Sequence, residues 1–222
     1  QAREHDAVIL VNPNSPTGVY CESMADIVSS IARSNNPGSQ CKMIWVDETY
    51  INYLPDAVSL EPLCGSLPEL VVCKSMSKCY ALSGLRVAYA VSQNMATLRR
   101  FIPPWAVSLP GQLAAVAALR NDAYYAQQYE VIHSERRKMQ QALDDLGFQV
   151  FSGVANYLLT YLPAASGYSS TRFIEACREQ GLFVRDAQNM GVLLPNNAVR
   201  FAVRSPEENE KMLSIVDAVL AL

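Results

Sequence analysis

Lys78 is one of five lysines in the chain, with Lys42, Lys74, Lys138 and Lys211, and it follows an apolar run and two hydroxyl residues, Ser75 and Ser77. Partial desolvation in such a setting favours a neutral amine that can attack a carbonyl, and Schiff-base formation is one natural use of it. Arg86, a short turn and strand further on, offers a planar fork suited to bidentate phosphate contact, and Ser75 and Ser77 offer hydroxyl donors to the same anion. Two more clusters carry polar chemistry: Asn12-Pro13-Asn14-Ser15-Pro16-Thr17-Gly18 and Asp47-Glu48-Thr49-Tyr50. Taken alone, a turn rich in Asn, Pro and Gly is usually only a turn, and an Asp at a strand end is more often a helix cap than a catalyst. Together they carry more weight, because all three clusters fall at the ends of expected strands along one edge of one sheet.

The elements that must position these residues are legible in the pattern. Ala7 to Asn12, Met43 to Asp47 and Leu70 to Lys74 are apolar runs ending in polar residues, and Leu85 to Val91 is another extended run. Ser23 opens a helical period through Met24, Ile27 and Ile31. Short apolar runs alternating with helical patterns predict a mainly parallel sheet flanked by helices, in which ligands bind outside the carboxyl ends of the strands. Pro103 and Pro104 break the chain, and helices are expected over Gln112 to Arg120 and through Gln141 to Leu146, stopped by Gly147. Downstream the expected order is strand (Phe148 to Phe151), strand (Tyr157 to Leu162), helix (Thr171 to Gln180), strand (Leu182 to Arg185), strand (Ala198 to Val203) and helix (Pro206 to Leu222). The last helix opens with Ser205, Pro206 and Glu208, a capping box. The division expected is residues 1–120 in a larger α/β domain and residues 121–222 in a smaller α+β one.

Composition narrows the functional classes. The 222 residues are 50% hydrophobic and 18% charged, too apolar for a disordered segment. Eighteen Lys and Arg against 21 Asp and Glu give a net charge of −3, too balanced to gather nucleic acid or anionic lipid. No apolar run approaches the roughly 20 residues of a membrane-spanning helix. The six cysteines form no C-x-x-C and read as free thiols in a reducing, cytoplasmic setting, and His5 and His133 are too isolated to suggest a metal.

The string Ser-x-Ser-Lys-x-x-x-Leu-x-Gly-Leu-Arg, carried by Ser75, Ser77, Lys78, Leu82, Gly84, Leu85 and Arg86, resembles the fold-type I enzymes that use pyridoxal phosphate, the class I and II aminotransferases. Within that group the chain looks most like the histidinol-phosphate aminotransferase branch, which also contains threonine-phosphate decarboxylases. Pro103 to Ser108 and the Val199 to Val203 strand before the capped helix extend the match over nearly the whole chain. The resemblance implies that Lys78 forms the Schiff base with the cofactor and moves a proton at the substrate Cα. It implies that Asp47 pairs with the pyridine nitrogen, keeping it protonated so that the ring can accept electrons. Tyr50 would hydrogen-bond the phenolic oxygen O3′, and Ser75, Ser77 and Arg86 would hold the phosphate. Arg200 resembles the residue that grips the substrate carboxylate, with Arg204 on the same run as its rival, and Asn156, just before a strand of the second domain, reads either as facing the substrate or as closing a turn.

Two departures from the family pattern matter. Where the family has Asn before Pro-Thr-Gly, this chain has Ser15, with Asn14 one position earlier, and either can face O3′. The family's N-terminal segment, which precedes the Asn-Pro motif, has no counterpart in this sequence. The function implied is transamination of an amino acid or amino-alcohol phosphate of the histidinol-phosphate kind, with 2-oxoglutarate and glutamate as second pair, in a homodimer. A decarboxylase of the threonine-phosphate kind, or a truncated chain without catalysis, are the alternatives. Loss of covering strands or helices would expose apolar surface on such a sheet.

Overall fold

A computed structural model describes residues 5–33 and 41–221. By its contacts the chain divides into two units, one formed by Gln1–Pro13 and Tyr20–Ala126, the other by Asn14–Val19 and Gln127–Leu222.

In the first unit four strands, β1 (Ala7–Val11), β2 (Met43–Asp47), β3 (Leu70–Ser75) and β4 (Ala88–Val91), lie in the order β1-β2-β3-β4. β1 and β3 flank β2 in parallel, and β4 joins β3 antiparallel. The sheet is therefore mainly parallel, as the alternation of strand and helix patterns requires. The β4 strand starts three residues later than its apolar run, because Ser83–Leu85 forms a 3-10 turn and Arg86 adopts a left-handed backbone, φ 54°. Alternate residues of the strands point to opposite faces. Ile44, Val46, Leu70 and Val72 form one buried face, packed with Met24 and Val28 of α1 (Met24–Arg33). The other face carries Asp47 and Ser75, and Ile9 on it is 71% exposed.

α2 (Met95–Arg99) is a short helix that the sequence pattern does not announce. α3 (Leu109–Leu119) begins before the expected Gln112, because the Ser108 side chain accepts a hydrogen bond from the Gly111 N–H and Pro110 suits the first turn. Leu109, Leu113, Val116 and Leu119 on it are exposed. α4 (Asp122–Asp145) carries the chain into the second unit and stops at Gly147, φ 85°.

The second unit holds an antiparallel sheet of β5 (Gln149–Val150), β6 (Tyr157–Tyr161), β7 (Arg185–Asp186) and β8 (Ala198–Ala202), ordered β5-β6-β8-β7. α5 (Ser170–Glu179) and α6 (Pro206–Leu220) pack with the C-terminal half of α4 on one face, around Leu143, Phe148, Leu158, Phe173, Phe201 and Val216. Leu182 and Val184, expected in a strand, pack against this core without pairing, and pairing begins only at Arg185. Ser205 caps α6, its hydroxyl accepting from the Glu208 N–H at 3.3 Å.

Candidate active site

The carboxyl ends of β1, β2 and β3 are level with one another, Val11 beside Asp47 and Asp47 beside Cys73. Asn12, buried just past β1, fixes the loop that follows: its side chain accepts from the Cys21 N–H at 2.8 Å and donates to the Cys21 carbonyl at 3.0 Å. Asp47 ends β2 half-buried, and its Oδ1 accepts from the Thr49 N–H at 2.9 Å and the Thr49 hydroxyl at 2.5 Å. Its Oδ2 has no protein donor among the described residues. Thr49 Oγ1 in turn accepts from the Ser75 N–H at 3.4 Å, and the Ser75 and Ser77 hydroxyls are 2.8 Å apart. A continuous line of hydrogen bonds therefore runs from the Asp47 carboxylate to the paired serines.

Lys78 lies in the turn after β3. It is exposed, where partial desolvation was expected: Met76, Cys79 and Tyr80 take the inward positions of this turn and Lys78 is left on its outer side. The Lys78 carbonyl accepts from the Tyr53 hydroxyl at 3.3 Å, and Tyr53 is fully buried with its phenol pushed well above the usual range by that burial. Tyr50 is buried beside it, the two rings 6.4 Å apart. Arg86 is exposed and gives one Nη1 hydrogen to the Ser83 carbonyl at 3.1 Å, which leaves most of its fork open.

Glu48 and Lys74, to which the sequence assigned no role, occupy the opposite face. Glu48 is 1% exposed and accepts from the Ser59 hydroxyl at 2.6 Å and the Leu60 N–H at 2.8 Å. Lys74 lies 3.4 Å from Glu48 and 2.7 Å from Glu61. The end of β3 at Ser75 separates two lysines: Lys74, still in the strand, is committed to carboxylates, whereas Lys78, in the turn beyond it, makes no ion pair among the described residues. Nothing in the sequence marks Glu48 as buried except its place one residue after Asp47.

In the second unit the Asn14–Val19 loop packs against the start of β6. Gly18 and Gly153 approach so closely that a Cβ on Gly153 would sit 2.8 Å from the Thr17 carbonyl oxygen. Asn14 Oδ1 accepts from the Thr17 hydroxyl at 2.9 Å. Ser15 Oγ accepts from Arg200 Nη1 at 3.4 Å. Arg200 lies over the Tyr157 ring, its Cζ 4.7 Å from the centroid. It makes no ion pair among the described residues, whereas Arg204 pairs with Glu208 at 3.0 Å. Asn156 is half-buried, and its carbonyl accepts from the Val203 N–H at 2.9 Å. Arg185 is directly opposite Arg200 across β7 and β8, an arrangement unfavourable for two cations unless an anion is shared. Arg185 closes the apolar run Leu182 to Val184, and only the strand register reveals its neighbour.

The donors of the first unit suit an aromatic cofactor carrying a phosphate: two hydroxyls and an open guanidinium for the anion, a lysine beside them, and a carboxylate oxygen free for a ring N–H. The family model for aminotransferase class I and II matches residues 1–216, and the chain belongs to that family. The family is dependent on pyridoxal phosphate. Similar curated proteins include the aromatic amino acid aminotransferase of Rhodococcus erythropolis, 32% identical over 222 residues, covering 96% of this chain and 56% of that protein. The threonine-phosphate decarboxylase of Salmonella typhimurium is 30% identical over 223 residues, covering 97% of this chain and 58% of that protein. The fold is that of the histidinol-phosphate aminotransferase from Clostridium acetobutylicum, with TM-score 0.85 and 24% identity, over 98% of this chain and 65% of that structure. The chain thus spans little more than half the length of the curated relatives.

Proposed function

We propose that the protein containing this chain transaminates an amino acid or an amino-alcohol phosphate of the histidinol-phosphate kind, with 2-oxoglutarate and glutamate as second pair. The observation that carries this is the hydrogen-bonded line from Asp47 through Thr49 to Ser75 and Ser77, which ends one residue before Lys78. When bound, pyridoxal phosphate supplies an electron sink for negative charge developing at the substrate Cα. Asp47 holds the ring N–H through its free Oδ2. Ser75, Ser77 and Arg86 bind the phosphate, and Tyr50 bonds O3′. Lys78 binds the cofactor through its amine and carries the proton to and from Cα. Arg200, which pairs with no carboxylate among the described residues, takes the substrate carboxylate, with Arg185 as its cross-strand neighbour. Asn156 and the Asn14-Ser15 pair complete the polar contacts on the substrate and O3′.

Residues 1–120 would then be the larger cofactor-binding domain and 121–222 the smaller one. The assembly would be a cytoplasmic homodimer acting on small molecules, with no nucleic-acid or membrane partner. No helix among the described residues is long and apolar enough to cross a membrane, and no group of three metal-binding side chains occurs among them.

The test is to add pyridoxal phosphate, reduce with borohydride and map the labelled lysine. Label on Lys78 supports the assignment. Label elsewhere, or none, sinks it for this chain and favours a non-catalytic piece. The threonine-phosphate decarboxylase similarity favours a second reaction on the same residues, decarboxylation. Product analysis separates the two: carbon dioxide without a keto acid rules out transamination.

A further inference from the structure

We propose that Tyr157 is a positioning residue that presents Arg200 to a substrate carboxylate; this rests on the reading of Arg200 given above. Tyr157 and Arg200 are diagonal neighbours on one face of the second sheet, since Tyr157 pairs with Ala202 and Arg200 with Leu159. An arginine at such a position has many rotamers, and binding an anion requires that one be selected. The buried Tyr157 ring selects it, with the guanidinium lying 4.7 Å over its face, inside cation–π range.

The ring is itself anchored. Tyr157 Oη donates to the Asn14 carbonyl at 2.8 Å, and the next residue, Ser15, accepts from Arg200 Nη1 at 3.4 Å. Tyr157, Asn14, Ser15 and Arg200 thus form a closed circuit that grips the guanidinium by one face and one edge. Its other donors remain for an incoming carboxylate. The serine that replaces the family's asparagine is used, in this chain, to steady the arginine. Tyr157, Asn14 and Ser15 add no charge to that of Arg200; their effect is to reduce the ordering that binding would otherwise demand.

Calorimetric titration of the chain with 2-oxoglutarate tests this, alongside the KM and kcat for glutamate of the protein loaded with pyridoxal phosphate. Arg200→Met should weaken 2-oxoglutarate binding at least 100-fold. Tyr157→Leu, which removes ring and hydroxyl, should weaken it about ten-fold. Tyr157→Phe, which keeps the stack and loses the anchor, should weaken it about three-fold, with the urea midpoint lowered only by the loss of one hydrogen bond. In both Tyr157 variants KM should rise while kcat stays within about two-fold. Wild-type affinity in both, with Arg200→Met defective, overturns the positioning role alone. Wild-type affinity in Arg200→Met overturns the underlying reading of Arg200, a result of its own.

Discussion

Thr49 donates both its backbone N–H and its hydroxyl to a single carboxylate oxygen of Asp47, at 2.9 and 2.5 Å. Charge-assisted bonds of this type hold the carboxylate in one orientation and keep the second oxygen available. Thr49→Val keeps the shape and removes the hydroxyl, so pyridoxal phosphate affinity should fall about ten-fold, the equivalent of ~1.4 kcal/mol for a hydrogen bond to a charged group. Asp47→Ala should cost far more. The measurement is titration of the visible cofactor absorbance, and a Thr49→Val protein that titrates like wild type would remove Asp47 from the ring.

The two lysines at the end of β3 should differ in what they do for stability. Lys74 is buried with Glu48 and Glu61, and its replacement by Met leaves Glu48 as a buried, uncompensated charge. Breaking such a pair costs about 3–5 kcal/mol. Lys78→Ala removes an exposed side chain, and should change stability by no more than about 0.5 kcal/mol. Urea unfolding of the cofactor-free chain compares them directly. Equal losses would mean that Lys78 has a structural partner.

Burial pushes the Cys79 thiol up to about 12 and the Cys177 thiol up to about 11, from an ordinary value of 9.0. Between pH 9 and those values the unfolded chain loses the thiol proton and the folded chain keeps it. Stability contributed by these thiols is therefore complete below pH 9 and declines as pH rises, by at most about 1.4 kcal/mol per pH unit for each thiol. Thermal unfolding followed from pH 8 to 10.5 should show this decline, and Cys79→Ala should flatten it. At pH 8 a thiol reagent should modify half-buried Cys21 long before Cys79 or Cys177.

Gly153→Ala tests the packing of the Asn14–Val19 loop. The added Cβ would meet the Thr17 carbonyl oxygen at 2.8 Å and the Gly18 Cα at 3.0 Å, both backbone atoms. Overpacking of this kind costs about 1–3 kcal/mol. The urea midpoint should drop, and carboxylate binding should weaken because Ser15 rides on the same loop. Gly65→Ala, with nothing within 4 Å of the added atom, is the control and should be near neutral.

Local order on the chain was enough to predict the alternation of strands and helices, the mainly parallel sheet, the cap at Ser205 and the string from Ser75 to Arg86. Each depends on residues within a turn or a strand of one another, where apolar period, caps and breakers act directly. The same local rules failed where partners were distant. β4 shortens because Arg86 turns left-handed, and the apolar residues Leu182 and Val184 pack without pairing. Only the tertiary structure assigned Lys74 to Glu48 and Glu61: β3 ends at Ser75, so Lys74 faces inward from the strand while Lys78, four residues on, lies on the outer side of the turn. Only strand register set Arg185 opposite Arg200, and only packing joined Ser15 to Arg200 across 185 positions of sequence. Residue type announces which chemistry a side chain can perform; its charge partners, burial and rotamer are decided by whatever the fold brings beside it.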